Sequence, residues 1–260
     1  MCLIVLDWQP HGNPSLQVAA NRDEFHDRPS APLHVWPDAP QVMAGRDQVS
    51  GGTWLGVSTD GRFAALTNYR DPARQRPDAR SRGALVADFL TGRMPAAEHA
   101  AACMREAAQY NGFNLLLCDG RDLIWVGHGG GHPPRSSPLP PGLHALSNHL
   151  PGTPWPKLVR AREAFARVTG QGSGAATEAR VDALFELLLE HTPAADADLP
   201  DTGVSLEWER RLSPVFIAGD DYGTRSRTVL VIDPAAIRIE ERRHGPGGGE
   251  TGRTVLTAVR

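Results

Sequence analysis

The sequence has few of the features that define specialised protein classes. It contains three cysteines in 260 residues, an odd number without a C-x-x-C pair, which argues against a disulfide framework or a structural zinc site. Its 27 basic and 30 acidic side chains nearly balance, so we expect no general attraction to nucleic acid or to anionic membranes. No apolar run reaches the roughly 18 residues that a transmembrane segment needs, and MCLIVLDWQP lacks the basic start of a secretory signal. We therefore expect a cytoplasmic globular protein with free thiols.

Several segments have the length and pattern of paired β-strands. MCLIVLDW is a continuous apolar run, typical of a strand buried on both faces, and SLQVAANR follows as its return strand. TWLGVSTDGRFAALTNY and FNLLLCDGRDLIWVGH each place an Asp-Gly pair between two apolar stretches, which indicates a hairpin. Four more strands are predicted near the C-terminus, at PVFIAG, SRTVLVID, IRIEER and RTVLTAV.

Amphipathic helices are predicted between the two groups of strands. They include RGALVADFLTGR with Ser81 as its cap, PAAEHAACMREAAQ with Pro95 in its first turn, and WPKLVRAREAFARV. Because the late strands are expected to join the early ones, the pattern predicts one α+β domain over residues 1–260 with mostly antiparallel sheets. The Gly-rich segment GHGGGHPPRSSPLPPG is predicted to be a mobile surface loop.

A cluster of four polar residues, NRDE at positions 21–24, follows the second strand. If Trp8 and Ser15 flank the first hairpin loop, antiparallel pairing places Cys2 opposite Asn21. Alternate members of the cluster then point to opposite faces of the sheet, so at most two of them share a face with the thiol. We expect Cys2 and part of the cluster to contribute to one pocket.

Cys2 has a second unusual property, because it follows the initiator Met. A residue this small permits removal of that Met, which leaves Cys2 with a free α-amine that titrates near pH 8, about 7.7–8.0. Such an amine can act as the general base for its own thiol, and a nearby arginine further favours the thiolate. The alternatives are that Cys2 is a small core hydrophobe and that the polar cluster is a structural arrangement of salt bridges and turns.

Ordered motifs along the chain resemble the NRDE family, also called the transport and Golgi organisation family. They are MCLIV, ANRDE, GGTWLGV, ALTNYR, LSNHLPGTPWPK and YGTRSRTVL. That family is similar to the N-terminal-nucleophile hydrolases, which implies a four-layer α-β-β-α sandwich. It also implies a cysteine hydrolase that acts on a carbon–nitrogen amide bond of a small molecule without a cofactor. The alternative that the resemblance implies is a non-enzymatic carrier that binds haem or an acyl ligand in the same cleft.

The resemblance to penicillin V acylase and bile salt hydrolase also implies which residues form the site. The matching positions are Cys2, Arg22, Asp23, Asn68, Asn148 and Arg225. Those acylases separate their Arg and Asp by two residues, whereas here the two are adjacent and are expected to face opposite ways. Substrate contacts are expected from Asn21, Thr53, Trp54 and Tyr69.

Each of these residues has an expected role. Asp23 would hold the amine, and Asn68 or Asn148 would donate to the developing oxyanion unless they simply terminate their strands. With the second hairpin turning at its Asp-Gly pair, Asn68 is expected opposite Thr53 at the open end of that hairpin. Arg225 would bind an anionic part of the substrate or form a bidentate pair with Asp23.

Two further patterns bear on ligands. His128 and His132 have the spacing of metal ligands on a helix, but they lie in GHGGGH, which will not form a helix, so we expect no metal site. The run RDPARQRPDARSR holds five arginines against two aspartates and predicts a solvated loop or, alternatively, a contact for a phosphate or carboxylate group. The sequence lacks a C-x-x-C-H motif, so any haem would be held reversibly.

Overall fold

A computed structural model describes residues 2–170 and 178–260 of the chain, and Met1 lies outside them. Two β-sheets form the centre of the described part. The strands of the first sheet are β1 (Cys2–Trp8), β2 (Leu16–Phe25), β10 (Gly142–Leu146), β11 (Tyr222–Ile232), β12 (Ala236–His244) and β13 (Glu250–Val259). The strands of the second are β3 (Ser30–Trp36), β4 (Ala39–Asp47), β5 (Leu55–Ser58), β6 (Phe63–Asn68), β7 (Phe113–Cys118), β8 (Leu123–Gly129) and β9 (His132–Pro138).

Neighbouring strands pair antiparallel throughout both sheets. The spatial order is β10-β1-β2-β11-β12-β13 in the first sheet and β3-β4-β5-β6-β7-β8-β9 in the second. The late strand β11 pairs with the early strand β2 along ten of its residues. This confirms the prediction that the C-terminal strands join the N-terminal hairpin in one sheet.

Helices cover the outer faces of both sheets. They are α1 (Gly83–Thr91), α2 (Ala96–Glu106), α3 (Pro156–Thr169), α4 (Glu178–Leu187) and α5 (Leu206–Arg211), with 3-10 turns at Pro72–Arg74, Ala107–Gln109, Asp196–Asp198 and Pro246–Gly248. The start of α1 differs from the prediction, because Arg82 and not Ser81 occupies the cap position; Pro95 caps α2 and is not in its first turn. In the described residues, no helix is both long and apolar enough to cross a membrane.

The packing confirms a four-layer α-β-β-α sandwich. Side chains such as Ile4 and Val57 fill the layer between the two sheets. Helices α1 and α2 pack on the outer face of the second sheet through residues such as Phe89. Helices α3 and α4 pack on the outer face of the first sheet, where Phe165 and Phe185 are fully buried.

The position of strand β1 in the sandwich explains why residues 2–6 are apolar without interruption. Its even-numbered residues, such as Ile4, face the second sheet, and its odd-numbered residues, such as Leu3, face helix α3. Both faces are therefore buried. Cys2 begins the strand and has the parity of Ile4, so its side chain belongs to the space between the sheets.

The register of the first hairpin differs from the prediction by one residue. Gln9 and not Trp8 closes the loop, because its N–H donates to the carbonyl oxygen of Ser15 at 2.8 Å. Cys2 is consequently opposite Arg22, and Leu3 is opposite Asn21. Since a shift of one residue exchanges the two faces of a strand, Arg22 and not Asn21 shares a face with the thiol.

Two other predictions of secondary structure were wrong. PVFIAG is not a strand, although Val215 and Ile217 are buried, because a short apolar run can be buried as irregular chain as well as in a sheet. The segment GHGGGHPPRSSPLPPG is not all loop, since it contains β9, the edge strand of the second sheet. An edge strand tolerates prolines because only one of its sides pairs with a neighbour.

Candidate active site

Cys2 contributes to a polar cavity of about 340 Å³ at one end of the sandwich. Arg22 reaches this cavity from the end of β2, and Trp54 reaches it from the loop between β4 and β5. Asn68 is the last residue of β6, and residues 76–83 of the following connection form much of the wall. Four separate parts of the chain therefore meet around one sulfur atom.

The environment of the Cys2 thiol has opposing effects on its ionisation. Burial raises the pKa of this half-buried thiol, and the nearby charge of Asp23 raises it further. The guanidinium of Arg22 and a hydrogen bond from the backbone N–H of Asp23 lower the same pKa. Burial has the largest effect, so the thiol needs a base to remove its proton during attack.

Arg22 lies opposite Cys2 and stacks on the ring of Trp54. Its guanidinium carbon is 4.1 Å from the ring centroid, a distance at which the cation and the aromatic face attract each other. The ring in turn lies on the backbone at Gly45, where a Cβ atom would come within 2.5 Å of its Cη2 atom. Thr53 also lines the cavity, and its hydroxyl donates to the carbonyl oxygen of Leu55 at 3.2 Å.

The Asp23 carboxyl group is buried on the helix side of the same strand. It accepts a hydrogen bond of 2.7 Å from the Thr224 hydroxyl. Burial raises its pKa, and the nearby Lys157 ammonium opposes that shift. Lys157 donates to the carbonyl oxygen of Leu212 at 3.0 Å, and burial lowers its pKa to about 8.

Sequence analysis did not identify Lys157 as a site residue. One signal could have indicated it, because Lys157 is the only lysine among the 27 basic residues of the chain. Lys157 lies in the first turn of α3, yet only 2% of its surface is exposed.

The two candidate oxyanion donors occupy different places. Asn68 lines the cavity, and its carboxamide makes no hydrogen bond to another described residue. Asn148 is fully buried outside the cavity wall, and its Nδ2 donates to the backbone carbonyl oxygen of Asn68 at 2.9 Å. Asn148 thus supports the main chain at Asn68, and Asn68 itself lines the cavity.

Asn21 and Tyr69, which we expected to contact substrate, do not line the cavity. The Asn21 carboxamide points to the helix side of the first sheet and donates to the carbonyl oxygens of Leu188 and Val215 at 3.0 and 2.8 Å. Tyr69 is buried against His149, with a distance of 4.9 Å between the ring centroids. Both residues connect neighbouring segments of the fold.

Arg225 also lies outside the cavity wall. It is the extra residue of a β-bulge in β11, between Thr224 and Ser226. Its guanidinium donates to the carbonyl oxygens of Phe25 and Arg28 at 2.8 and 3.0 Å, which fixes the turn after β2. This geometry replaces the expected bidentate pair with Asp23.

Part of the arginine-rich run 70–82 lines the site, although residues 72–78 and Arg80 are exposed as predicted for a solvated loop. Arg76, Arg80 and Arg82 all line the cavity over Cys2, as does Arg28 from the turn after β2. No group of three or more potential metal ligands occurs in the ranges that the structure describes. The cavity therefore combines a thiol with a basic wall.

Sequence comparisons with known proteins match most of the chain. The family model described as Transport and Golgi organisation 2 matches residues 1–244. The mouse Transport and Golgi organization 2 homolog is 34% identical over 252 residues, covering 90% of this chain and 89% of the mouse protein. The Drosophila melanogaster Transport and Golgi organization protein 2 is 28% identical over 261 residues, covering 90% of this chain and 88% of the fly protein.

Two solved structures of hydrolases are similar to the chain. The mutant C2A conjugated bile acid hydrolase from Clostridium perfringens aligns with a TM-score of 0.53 and 7% identity, over 98% of this chain and 92% of that chain. The Caenorhabditis elegans N-acylethanolamine-hydrolyzing acid amidase ortholog aligns with a TM-score of 0.47 and 13% identity, over 88% and 92% of the two chains. The sandwich thus shares its fold with the bile acid hydrolase, and by its sequence the chain belongs to the Transport and Golgi organisation 2 family.

Proposed function

We propose that this protein hydrolyses a carbon–nitrogen amide bond of a small molecule, with Cys2 as the nucleophile after removal of Met1. The observation that carries this proposal is the convergence of Cys2, Arg22 and Asn68 on one cavity, next to the buried Asp23. The fold supports it, because the similar bile acid hydrolase is an amide hydrolase that was solved as a C2A mutant.

The proposed reaction has two steps. In the first, the α-amine of Cys2 takes the thiol proton while the sulfur bonds to the amide carbon, and the Asn68 carboxamide donates to the oxyanion. The carbon–nitrogen bond then breaks, and the amine returns the proton to the leaving nitrogen. In the second step, water attacks the thioester in the same way and releases a carboxylic acid and the free thiol.

Asp23 and Lys157 act in this scheme from behind the nucleophile. The Asp23 carboxyl group holds the α-amine in position, and its backbone N–H stabilises the thiolate. Lys157 balances the charge of the buried carboxylate, which would otherwise be costly away from water. Both are positioning residues, because neither side chain carries the reacting atom.

The test combines intact-mass measurement with thiol alkylation. We expect the purified protein to lack Met1, to react with iodoacetamide first at Cys2, and to lose hydrolysis of N-acyl amides in a Cys2→Ala variant. Cys103→Ala is the matched control, because burial raises the pKa of the Cys103 thiol to about 12 and keeps it unreactive. Retention of Met1, or equal hydrolysis by Cys2→Ala and the wild type, would contradict the proposal.

The alternative of a haem carrier is less compatible with this cavity. Among its described lining residues there is neither His nor Met, so the Cys2 sulfur is the one candidate axial ligand there. Most of the wall is polar or charged, which does not fit the apolar faces of a porphyrin. A haem titration would give a Soret shift that Cys2→Ala abolishes if the carrier function were correct, and we expect no such shift.

A further inference from the structure

The cavity over Cys2 carries an excess of positive charge. Its described lining contains five arginines and three carboxylates; these are Arg22, Arg28, Arg76, Arg80, Arg82, Asp23, Glu24 and Asp47. A concave site lined mainly by one sign of charge attracts ligands of the opposite sign. A ligand can use those arginines whose N–H groups are not already bonded within the protein.

Four of the five arginines have partners in the protein, and three of these, Arg28, Arg76 and Arg80, are held within the wall. Arg28 forms an ion pair of 2.7 Å with Asp47, and Arg80 forms one of 2.9 Å with Glu106. Arg76 donates to two backbone carbonyl oxygens after α2, at 2.7 and 3.1 Å. These three build the wall of the cavity and fix the loop that covers it.

Arg22 has no such partner. Only 6% of its surface is exposed, yet its guanidinium forms no hydrogen bond or ion pair with another residue in the described part of the chain. Stacking on Trp54 holds the guanidinium in place without using its N–H groups. A guanidinium carries five N–H donors, and in the described part of the chain no Arg22 nitrogen is fully buried without a partner, so its unused donors open into the cavity. An anion in the cavity would satisfy them.

Arg82 provides a second donor in the cavity, from the connection that follows β6. One of its nitrogens donates to the carbonyl oxygen of Gly112 at 3.0 Å, which anchors the side chain and leaves other N–H groups unused. Burial lowers the pKa of this guanidinium, and the nearby groups of Glu24 and Cys2 oppose that shift. Arg22 and Arg82 line the same cavity as the nucleophile.

We propose that Arg22 and Arg82 together bind a carboxylate or phosphate group of the substrate, so that the enzyme acts on amides with an acidic group close to the scissile bond. This inference rests on the proposed function for the identity of the reaction. It does not depend on turnover for its test. Arginine suits both anions because its planar fork donates two parallel hydrogen bonds to either.

Binding of matched ligands to the Cys2→Ala protein tests the inference. We expect N-benzoylglycine to bind about tenfold or more tightly than neutral N-benzoylglycinamide, because a hydrogen bond to a charged group contributes that much. A second pair consists of N-phenylsuccinamic acid, whose carboxylate is on the acyl side of the amide bond, and its neutral amide. A fifth ligand, N-benzoylaminomethylphosphonate, has a phosphorus oxyanion in place of the carboxylate of N-benzoylglycine. A preference for the anion in either pair supports the inference and shows on which side of the amide the charge is bound. The affinity of the phosphonate relative to N-benzoylglycine shows whether the site prefers a phosphorus oxyanion or a carboxylate. Equal affinities in both pairs overturn it.

Variants of Arg22 and Arg82 test whether these two side chains cause the preference for the anionic ligand. We expect Arg22→Gln and Arg82→Gln to lose the preference for the anion, and Arg22→Lys to retain part of it. Arg121→Gln is the matched control, because it removes the same charge from an exposed turn outside the cavity. A preference that survives in both glutamine variants overturns the assignment. If Arg22→Gln does not fold, Arg82→Gln and the ligand pairs still decide the question.

The two proposals fail in different ways. Selective binding of the anion without any hydrolysis by the wild type would remove the proposed function and leave the anion site intact. Hydrolysis without selectivity for the anion would do the reverse. The experiment therefore separates the site from the reaction.

Discussion

Lys157 is an unusual residue in this chain, because 26 of the 27 basic residues are arginine. The one lysine is fully buried behind the proposed nucleophile, close to Asp23. Arginine stays protonated in almost any environment, whereas lysine can lose its proton when it is buried. A lysine here can therefore exist in either state at a pH near neutrality.

The pKa of Lys157 can be measured directly. Because the chain has one lysine, protein labelled with ¹³C-lysine gives a single Cε signal, and we expect it to titrate with a pKa of about 8. Burial disfavours the ammonium form and the Asp23 carboxylate favours it, so Asp23→Asn is expected to lower the pKa further. The exposed Asp38→Asn is the control and is expected to leave the titration unchanged. A signal that titrates near 10.4, the value of free lysine, would show that the ammonium is solvated.

At the scale of elements, the loop before β5 and the start of α1 are in close contact, and this contact fixes two walls of the cavity relative to each other. Gly52 precedes β5 and packs against the backbone of Gly83 at the start of α1, where a Cβ atom on Gly52 would lie 2.6 Å from the Gly83 carbonyl oxygen. The N–H of Thr53 donates to that same oxygen at 3.3 Å. The contact joins the loop that carries Trp54 to the segment that carries Arg82.

Gly52→Ala is expected to separate these two walls. The added methyl group would meet backbone atoms that cannot rotate away, and overpacking of this kind costs about 1–3 kcal/mol of the free energy of unfolding. Urea denaturation would measure the loss, and Trp54 and Arg82 would move apart, so binding of N-benzoylglycine is expected to weaken as well. Gly249→Ala is the matched control, because a Cβ atom at that position would have no other atom within 4 Å and the backbone there is not left-handed. Equal stability of the two variants would show that the two loops are not in close contact.

The same scale shows what sequence patterns predict well and where they fail. Strand pairs were predicted from apolar runs around Asp-Gly, and the turn at Asp60 and Gly61 is indeed a hairpin. The registers were less accurate, because they depend on which residues close each loop. Ser58 pairs with Arg62 around three loop residues, and Gly61 takes a φ of +90°, a geometry that the Asp-Gly pair alone does not specify.

At the scale of the molecule, local pattern predicted only part of the site. Cys2 and Arg22 belong to one hairpin, so their proximity followed from pairing once the loop was known. Asn148 and Arg225 are far from Cys2 in sequence, and no periodicity relates such distant positions. Their expected side-chain roles came from resemblance, and the structure places both outside the cavity wall. Burial of Lys157 likewise depends on how a helix packs against a sheet.

A buried ion pair connects distant parts of the fold beside the site. Arg70, which follows β6 of the second sheet, pairs at 2.6 Å with Glu209 of α5, which precedes β11 of the first sheet. Both side chains are 4% exposed. Glu209 also accepts hydrogen bonds from the backbone N–H and the hydroxyl of Thr202, and Arg70 stacks on Trp155 before α3. The Glu209 carboxylate thus joins the segment that follows β6 to the segment that precedes β11.

Glu209→Gln keeps the shape of the side chain and removes its charge. Because the Arg70 guanidinium would remain buried without its carboxylate, we expect a loss of about 3 kcal/mol or more in the free energy of unfolding, measured by urea denaturation. Glu106→Gln is the control, because it breaks an ion pair with Arg80 in which both side chains are about half exposed. We expect this variant to lose less than about 1 kcal/mol of the free energy of unfolding. Similar losses in the two variants would mean that Arg70 reaches solvent or another acceptor. A large loss for Glu209→Gln alone would show that the buried pair, which connects segments of the two sheets, stabilises the fold far more than an exposed pair does.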